Sequence, residues 1–392
     1  APRQSPRRSL TRRGDSQNGT VLDGFLDHRV LKIEQCVRVT VENLTVTAGL
    51  RNHTQYPETA GAGIAAFHSA LTLRGITVRD NIGSLGLGAG VYSSVRELPG
   101  DLPPPGFQPG SPGLLVEDCL FQDNNAGDNG GHLFVEETDA ILRNSTFQRG
   151  RAVDGGAVSV LNGTLVVEGC TFSQNTARLD GGAILVSGLG SWSVSSTAFL
   201  GNRADRRGGG LASQIAGVGS LASCGFLDNS ASEGGGLYAR NVPVSAIQVF
   251  WRDNGASTRG GGVLLEDVTS ANFQRCTWAE NTSANGASVF VLRSAASMTR
   301  CLFGDASPTA VGCELGSANA SCSQAVDGMG GCLAVADRGP VSLCDSDPFG
   351  LCFIPATETC GTLGHVDAPC NEPGCQTPVR PLSWGMIKAR AH

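Results

Sequence analysis

Charge and aromatic rings are both scarce in this chain. Only 16% of its 392 residues are Asp, Glu, Lys or Arg, and 6% are Phe, Trp or Tyr. The net charge of −6 comes from acids and bases interspersed along the chain, without the basic stripe that a nucleic-acid partner requires. With three Tyr and four Trp, few rings remain to build the exposed platforms of a sugar-binding groove. No apolar run approaches the 18 or so residues of a membrane-spanning helix. The chain begins without an initiator Met or a signal peptide, as expected of a mature form or a fragment.

The constellations of several enzyme classes are missing as well. Neither Asp-Asp nor Asn-Thr-Asp occurs, so a polygalacturonase-like carboxylate cluster is not expected, and Gly131-His132 stands alone. The six His form no His-x-His or His-Glu-x-x-His pair, and no Gly-x-Ser-x-Gly or Gly-Lys-Ser/Thr follows the glycine-rich turns. There is no C-x-x-C knuckle for zinc. Asp154 and Asp180, one repeat apart, are a pair that could hold a weak cation, but a solvated turn is the better explanation of them. No catalytic residue, metal site or cofactor is therefore expected, and the chain reads as a non-enzyme.

What the chain does contain is one phrase rewritten many times. Asp154 to Asn175 reads DGGAVSVLNGTLVVEGCTFSQN, and Asp180 to Asn202 repeats it as DGGAILVSGLGSWSVSSTAFLGN. The apolar residue after the glycines recurs as Leu133, Val158, Ile184, Leu211, Leu237, Val263 and Val289, in steps of 25 to 27. A closing aromatic keeps the period, from Phe121, Phe147, Phe172 and Phe199 to Phe226, Trp251, Trp278 and Phe303. Three residues on comes Asn, except that Phe147 is followed by Gly150 and Phe303 by Ala306. A period of this length denotes a solenoid or an array, and short β-branched runs bounded by Gly, Asn, Asp and Ser are strands. Two or three strands per 26-residue coil fit an all-β parallel β-helix of roughly ten coils, right-handed by the usual crossover rule. Matching side chains then stack about 4.8 Å apart. The glycines are expected at sharp turns, and Asn at left-handed turn positions with amides bonding along the column.

Gly-Gly-Ala-Ile/Val alternating with Cys-Thr-Phe-x-x-Asn resembles the repeats of the chlamydial polymorphic outer-membrane protein family, over roughly residues 20 to 310. The resemblance implies a right-handed parallel β-helix at a cell surface, in adhesion or in a wall or fibre. That family's transmembrane barrel has no counterpart in this sequence.

Three regions frame the array. Residues 1–17 are basic and read as a solvated arm; Arg13-Gly14-Asp15 spells an adhesion tripeptide that chance accounts for. The regular coil is expected over 18–310, with a Pro/Gly-rich insertion at 96–112, of which Phe107 is the expected apolar contact. Residues 311–392 hold Cys313, Cys322, Cys332, Cys344, Cys352, Cys360, Cys370 and Cys375, read as a disulfide-stapled cap and extended tail. Within the array, Cys119, Cys170 and Cys224 fall on alternate coils, too far apart to bridge, whereas Cys276 and Cys301 are on adjacent coils and are disulfide candidates. Sequons at Asn18, Asn43, Asn52, Asn144, Asn162, Asn281 and Asn319 suggest N-linked glycans on a secreted protein. The expected role is an extracellular structural or adhesive glycoprotein that partners itself, other surface proteins or glycans, with no nucleic acid and no membrane span. The alternative is a polysaccharide-binding or -cleaving β-helix, which a cluster of acids and Arg on one outer face would favour.

Overall fold

The computed structural model describes residues 10–325, apart from 17–18, 37, 53–58, 96–112, 215–216, 300, 305–309 and 322–323. Each coil contributes four strands rather than two or three. Val158–Leu161, Leu165–Glu168, Thr171–Ser173 and Thr176–Ala177 are one such set, and they fall in four parallel sheets, here I to IV in that order. Sheets I to IV hold 11, 12, 12 and 9 described strands. Every strand pairs with its equivalent one coil away, as Val158 does with Ile184 and Phe172 with Phe199. The chain is thus an all-β parallel solenoid of about ten turns. The strand of sheet IV is only two residues long in most coils, too short to show alternation, and its buried Ala column (Ala126, Ala152, Ala177, Ala204) is its one signature.

The core is a set of columns. Val158, Val160 and their equivalents from sheet I meet Leu165 and Val167 from sheet II and Phe172 from sheet III, all fully buried. The aromatic column stacks without a gap from Phe121 to Phe303, with ring centroids 4.4–5.8 Å apart and planes within 15° of parallel. Trp192 is a third buried Trp, and its indole N–H donates to Ser213 Oγ at 2.8 Å. A Cβ on Gly219 of the next coil would fall inside that indole.

The glycine pair does two jobs. Gly181 has φ of +70°, where an L side chain is strained, and Gly182 lies where a Cβ would strike the Gly209 carbonyl of the next coil. The expectation for Asn is corrected: the left-handed residue is the one before it, Asp123, Gln174, Asp228, Asp253 or Glu280, with φ of 54–58°. Those short polar side chains stay in water at the corner, which frees the Asn side chain to turn inward.

The array also overruns its expected limits. Leu10–Arg13, expected in a solvated arm, is the first strand of sheet II and pairs with Val39–Glu42. At the other end Gln324–Ala325 still pairs with Leu302–Phe303. Cys313, expected in the cap, is buried in the sheet I strand Val311–Glu314 beside Val291. Cys322, Cys332, Cys344, Cys352, Cys360, Cys370 and Cys375 lie outside the described residues, as do Asn18 and the insertion 96–112.

Candidate functional site: ladders inside and outside the coil

Inside the corner between sheets III and IV runs an amide ladder. Asn175 Nδ2 donates to Asn202 Oδ1, Asn202 to Asn229, Asn229 to Asn254 and Asn254 to Asn281, at 2.9–3.0 Å. Each Oδ1 also accepts the backbone N–H of the preceding Asn, and each second amide hydrogen goes to an aromatic-column carbonyl, such as Phe172 O for Asn202. Every polar atom is thus satisfied in a dry core. Asn281 is 2% exposed with Nδ2 committed to Trp251 O. A glycan there would have to displace this buried contact.

Gly150 breaks this ladder, and His132 repairs it. The imidazole is fully buried between Phe121 and Phe147, with Nδ1 accepting from Asn124 Nδ2 at 2.9 Å. That assignment puts the neutral ring's proton on Nε2, which faces Asn175. A Cβ on Gly150 would lie 2.6 Å from Nε2. Burial drives the His132 pKa down to about 3, so the ring is neutral in any ordinary buffer. Gly131-His132 is thus a core feature and not half of a hydrolase site.

The cysteine column is equally inert. Cys119, Cys170, Cys224, Cys276, Cys301 and Cys313 are buried, unbridged cysteines, and Cys36 is a half-buried one. Burial pushes Cys119 and Cys170 up to about 12 and Cys224 to about 11, which suppresses the reactive thiolate. Cys276 and Cys301 do occupy adjacent coils, with their side chains in contact and unbridged in this structure. Each sulfur donates to main-chain carbonyls, Cys276 to Gln274 O and Ala246 O and Cys301 to Thr299 O and Phe273 O, at 3.4–3.5 Å. The intervening coils use hydroxyls instead: Ser145 Oγ and Thr197 Oγ1 accept the N–H of Cys119 and Cys170.

Outside, charge is organised the same way. On the outer face of sheet II, register places Arg13, Glu42, Arg74, Glu117, Arg143 and Glu168 in one column of alternating sign. Consecutive members approach to between 2.7 and 4.0 Å. Arg13 of the Arg-Gly-Asp tripeptide is one end of it, and Gly14 continues the backbone pairing by donating to Glu42 O.

A second, denser set of charges lies outside sheet I, around Tyr238. Asp180 accepts from Arg206 at 2.7 Å and from Gln214, and Arg207 pairs with Glu233 at 3.2 Å while lying 4.9 Å over the Tyr238 ring. The Tyr238 hydroxyl donates to Glu266 at 2.5 Å, and Arg293 bridges Glu266 and Asp267 at 2.9 and 2.6 Å. Asp267 is held below the usual carboxylate range by Arg293. Glu266 is also low, because the Tyr238 and Arg293 hydrogen bonds outweigh a burial that pushes it up. The acids of this cluster are thus Arg-bound, and both shifted ones are held ionised. A glycosidase needs the opposite, one carboxyl kept protonated beside an ionised one. The expected Asp154–Asp180 pair is split: Asp180 is bound to Arg206, whereas Asp154 Oδ1 accepts only the Asp180 N–H at 2.8 Å and burial pushes its carboxyl above the usual range. Among the described residues no group of three His, Cys, Asp or Glu is disposed to hold a metal ion. Asp123 is likewise clamped by Arg149, at 2.8 and 2.9 Å.

A family model for the Chlamydia polymorphic membrane protein repeat matches residues 169–187. The chain carries a polymorphic membrane protein-type repeat. The matched stretch runs from the corner before Cys170 through the sheet III and IV strands and the Gly181-Gly182 turn into the sheet I strand Ile184–Ser187. It therefore covers the amide ladder, the aromatic column and the glycine pair of one coil. No curated protein and no solved structure matches the chain. Among the described residues no helix is long and apolar enough to cross a membrane.

Of the remaining sequons, Asn52, Asn144 and Asn162 are exposed and Asn43 is half-buried. Asn43, Asn144 and Asn162 are corner residues with φ of 46–54°. Asn319 is in the strand Ser317–Ser321, and its side chain lies outside the described residues. Sequence reading missed the His132–Gly150 exchange, the Arg–Glu ladder and the charge cluster around Tyr238, of which the ladder was available as side chains recurring at the coil period.

Proposed function

We propose that this protein is a cell-surface β-helix of the adhesin type, a rigid glycosylated rod that presents binding surfaces rather than chemistry. The observation that carries this reading is the match of the polymorphic membrane protein repeat to a coil whose Asn column is hydrogen-bonded from coil to coil. Support comes from the outer faces, where most acids of the clusters are tied to arginines, and from the core, where burial disfavours the thiolates of Cys119, Cys170 and Cys224. The exposed sequons at Asn52, Asn144 and Asn162, with half-buried Asn43, are the places where N-glycans would sit.

The direct test is immunolabelling of intact, unpermeabilised cells with an antibody to the coil, paired with peptide-N-glycosidase treatment of the native protein. Labelling of intact cells, and a mass loss that maps to Asn43, Asn52, Asn144 or Asn162 but never to Asn281, is the expected result. Labelling only after permeabilisation would overturn it. The cluster around Tyr238 favours a second reading, contact with a polysaccharide along sheet I. A glycan array with the full chain, scored beside a reducing-end assay, separates binding from cleavage. Release of reducing ends that depends on Asp180 or Glu266 would replace the adhesin reading with an enzyme.

A further inference from the structure

The outer face of sheet II changes character half-way along the rod. In the first coils it carries the Arg–Glu ladder, which ends at Glu168. The next five strands, Trp192–Ser195, Gly219–Ala222, Val244–Ile247, Ala271–Gln274 and Ala295–Thr299, contain no charged residue. Their inward residues fill the core. Their central outward column is Ser193, Ser220, Ser245, Asn272 and Ser297, in register from strand to strand. Three of the protein's exposed large aliphatics lie on or beside this face: Leu189, Val218 and Ile247, at 86%, 55% and 41% exposure.

We propose that this charge-free half-face is a lateral docking surface for a second copy of the same chain. Three observations choose that occupant. The strands of the face hold no charge with which to attract a charged partner, while exposed Ile247 of the central strand can meet its own copy across a two-fold. Its Ser, Asn and Gln side chains are donors and acceptors at once, so the column is complementary to its own image under a two-fold axis, as an isologous contact requires. Small side chains let two such sheets approach face to face as sandwich layers do, about 10 Å apart. Its size is also adequate. Five strands about 4.8 Å apart and roughly 20 Å of chain with the flanking corners give on the order of 1,000 Å² buried in total, the lower limit for a specific pair.

Centring the two-fold on Val244–Ile247 sets the copies antiparallel, so the Arg–Glu ladders of the described residues lie towards opposite ends of the pair. The described, solvent-accessible sequons (Asn43, Asn52, Asn144 and Asn162) all precede Ile184 in the chain. Glycans there leave the paired half free, with Asn162 bordering it through its contact with the Leu189 N–H at 3.3 Å. The proposal goes beyond surface display, which does not depend on pairing.

The experiment is sedimentation equilibrium of the purified full-length chain over a wide concentration range. The weight-average mass is expected to climb from one chain towards two. Ser220→Arg with Ser245→Arg places two charges at the centre of the face and is expected to hold the mass at one chain, with an unchanged circular dichroism spectrum and melting curve. The same charges on the outer face of sheet III, Ser173→Arg with Leu200→Arg, are expected to leave association intact. A native chain that stays monomeric throughout, or an S220R/S245R chain that associates like the native one, overturns the proposal. So does a monomeric native chain that binds a neutral glucan through this face, since the face then belongs to a polysaccharide.

Discussion

A single side chain in this fold is judged by the two copies of itself on either side. Asn229 donates to Asn254 and to Phe199 O and accepts twice from Asn202. Asn229→Ala leaves several buried groups unpaired at once and is expected to lower unfolding free energy by about 2–4 kcal/mol, as urea denaturation would report. Where the column is already interrupted, the logic reverses. Gly150→Asn alone drives a side chain into His132, and His132→Ala alone strips Asn124 of its acceptor. Each single change is expected to destabilise, while the double variant H132A/G150N rebuilds the ladder and recovers stability. A double-mutant cycle should therefore show coupling above about 1 kcal/mol, and additivity would sink the idea. His132 also sets an acid limb. In the unfolded chain it binds a proton near its ordinary 6.5, and in the folded chain only near 3. Between those values the unfolded state holds the extra proton, so stability is full above pH 6.5 and falls as pH drops towards 3, by at most about 1.4 kcal/mol per pH unit. The H132A/G150N variant should lose that component of the pH dependence.

At the scale of the element, register matters more than any one contact. A one-residue slip in a sheet II strand would turn its core side to water and would also set the Arg–Glu ladder out of step. The expected consequence is specific. Glu117→Lys puts three cations in a row with Arg74 and Arg143 and should lower the melting temperature at low ionic strength, with the loss shrinking in high salt. A salt-independent loss would point to packing instead. This scale also shows why the sequence was only partly legible. Period, core columns and stacking could be read directly, because inward residues such as Val158, Leu165 and Phe172 repeat with little variation. The sheet IV strand could not, since Thr176–Ala177 is too short to alternate. Asn was placed at the wrong φ because its amide partner is another coil's Asn, about 26 residues away, and local turn preference says nothing about that. The sequon at Asn281 gives no hint of its burial for the same reason: a three-residue motif does not know that its Asn is in a core column. The third glycine of Gly234–Gly236 and Gly260–Gly262 follows from stacking too. Gly236 and Gly262 lie against Trp251 and Trp278, where a Cβ would come within 2.7 Å of Cδ1.

For the whole molecule, nearest-neighbour contacts dominate, and a solenoid need not unfold all at once. Phe199 lies between Phe172 and Phe226 at 5.2 and 4.4 Å, fully buried in the middle of the rod. Phe199→Ala empties that position and costs about 3–5 kcal/mol locally. In a cooperative globule that loss would raise amide exchange everywhere. Here the first coils, with Val39 and Val41 in place, share no contact with Phe199 and retain their own neighbours. Hydrogen exchange followed by peptide mass spectrometry is therefore expected to show faster exchange in Leu165–Glu168, Ala198–Leu200 and Gly225–Leu227, with Arg38–Glu42 and Ala70–Arg74 unchanged. A uniform rise along the chain would mean that the columns transmit the lesion end to end, and the rod would then have to be treated as a single cooperative unit. A local rise means that the rod can lose a coil's stability and still hold its far surfaces in place.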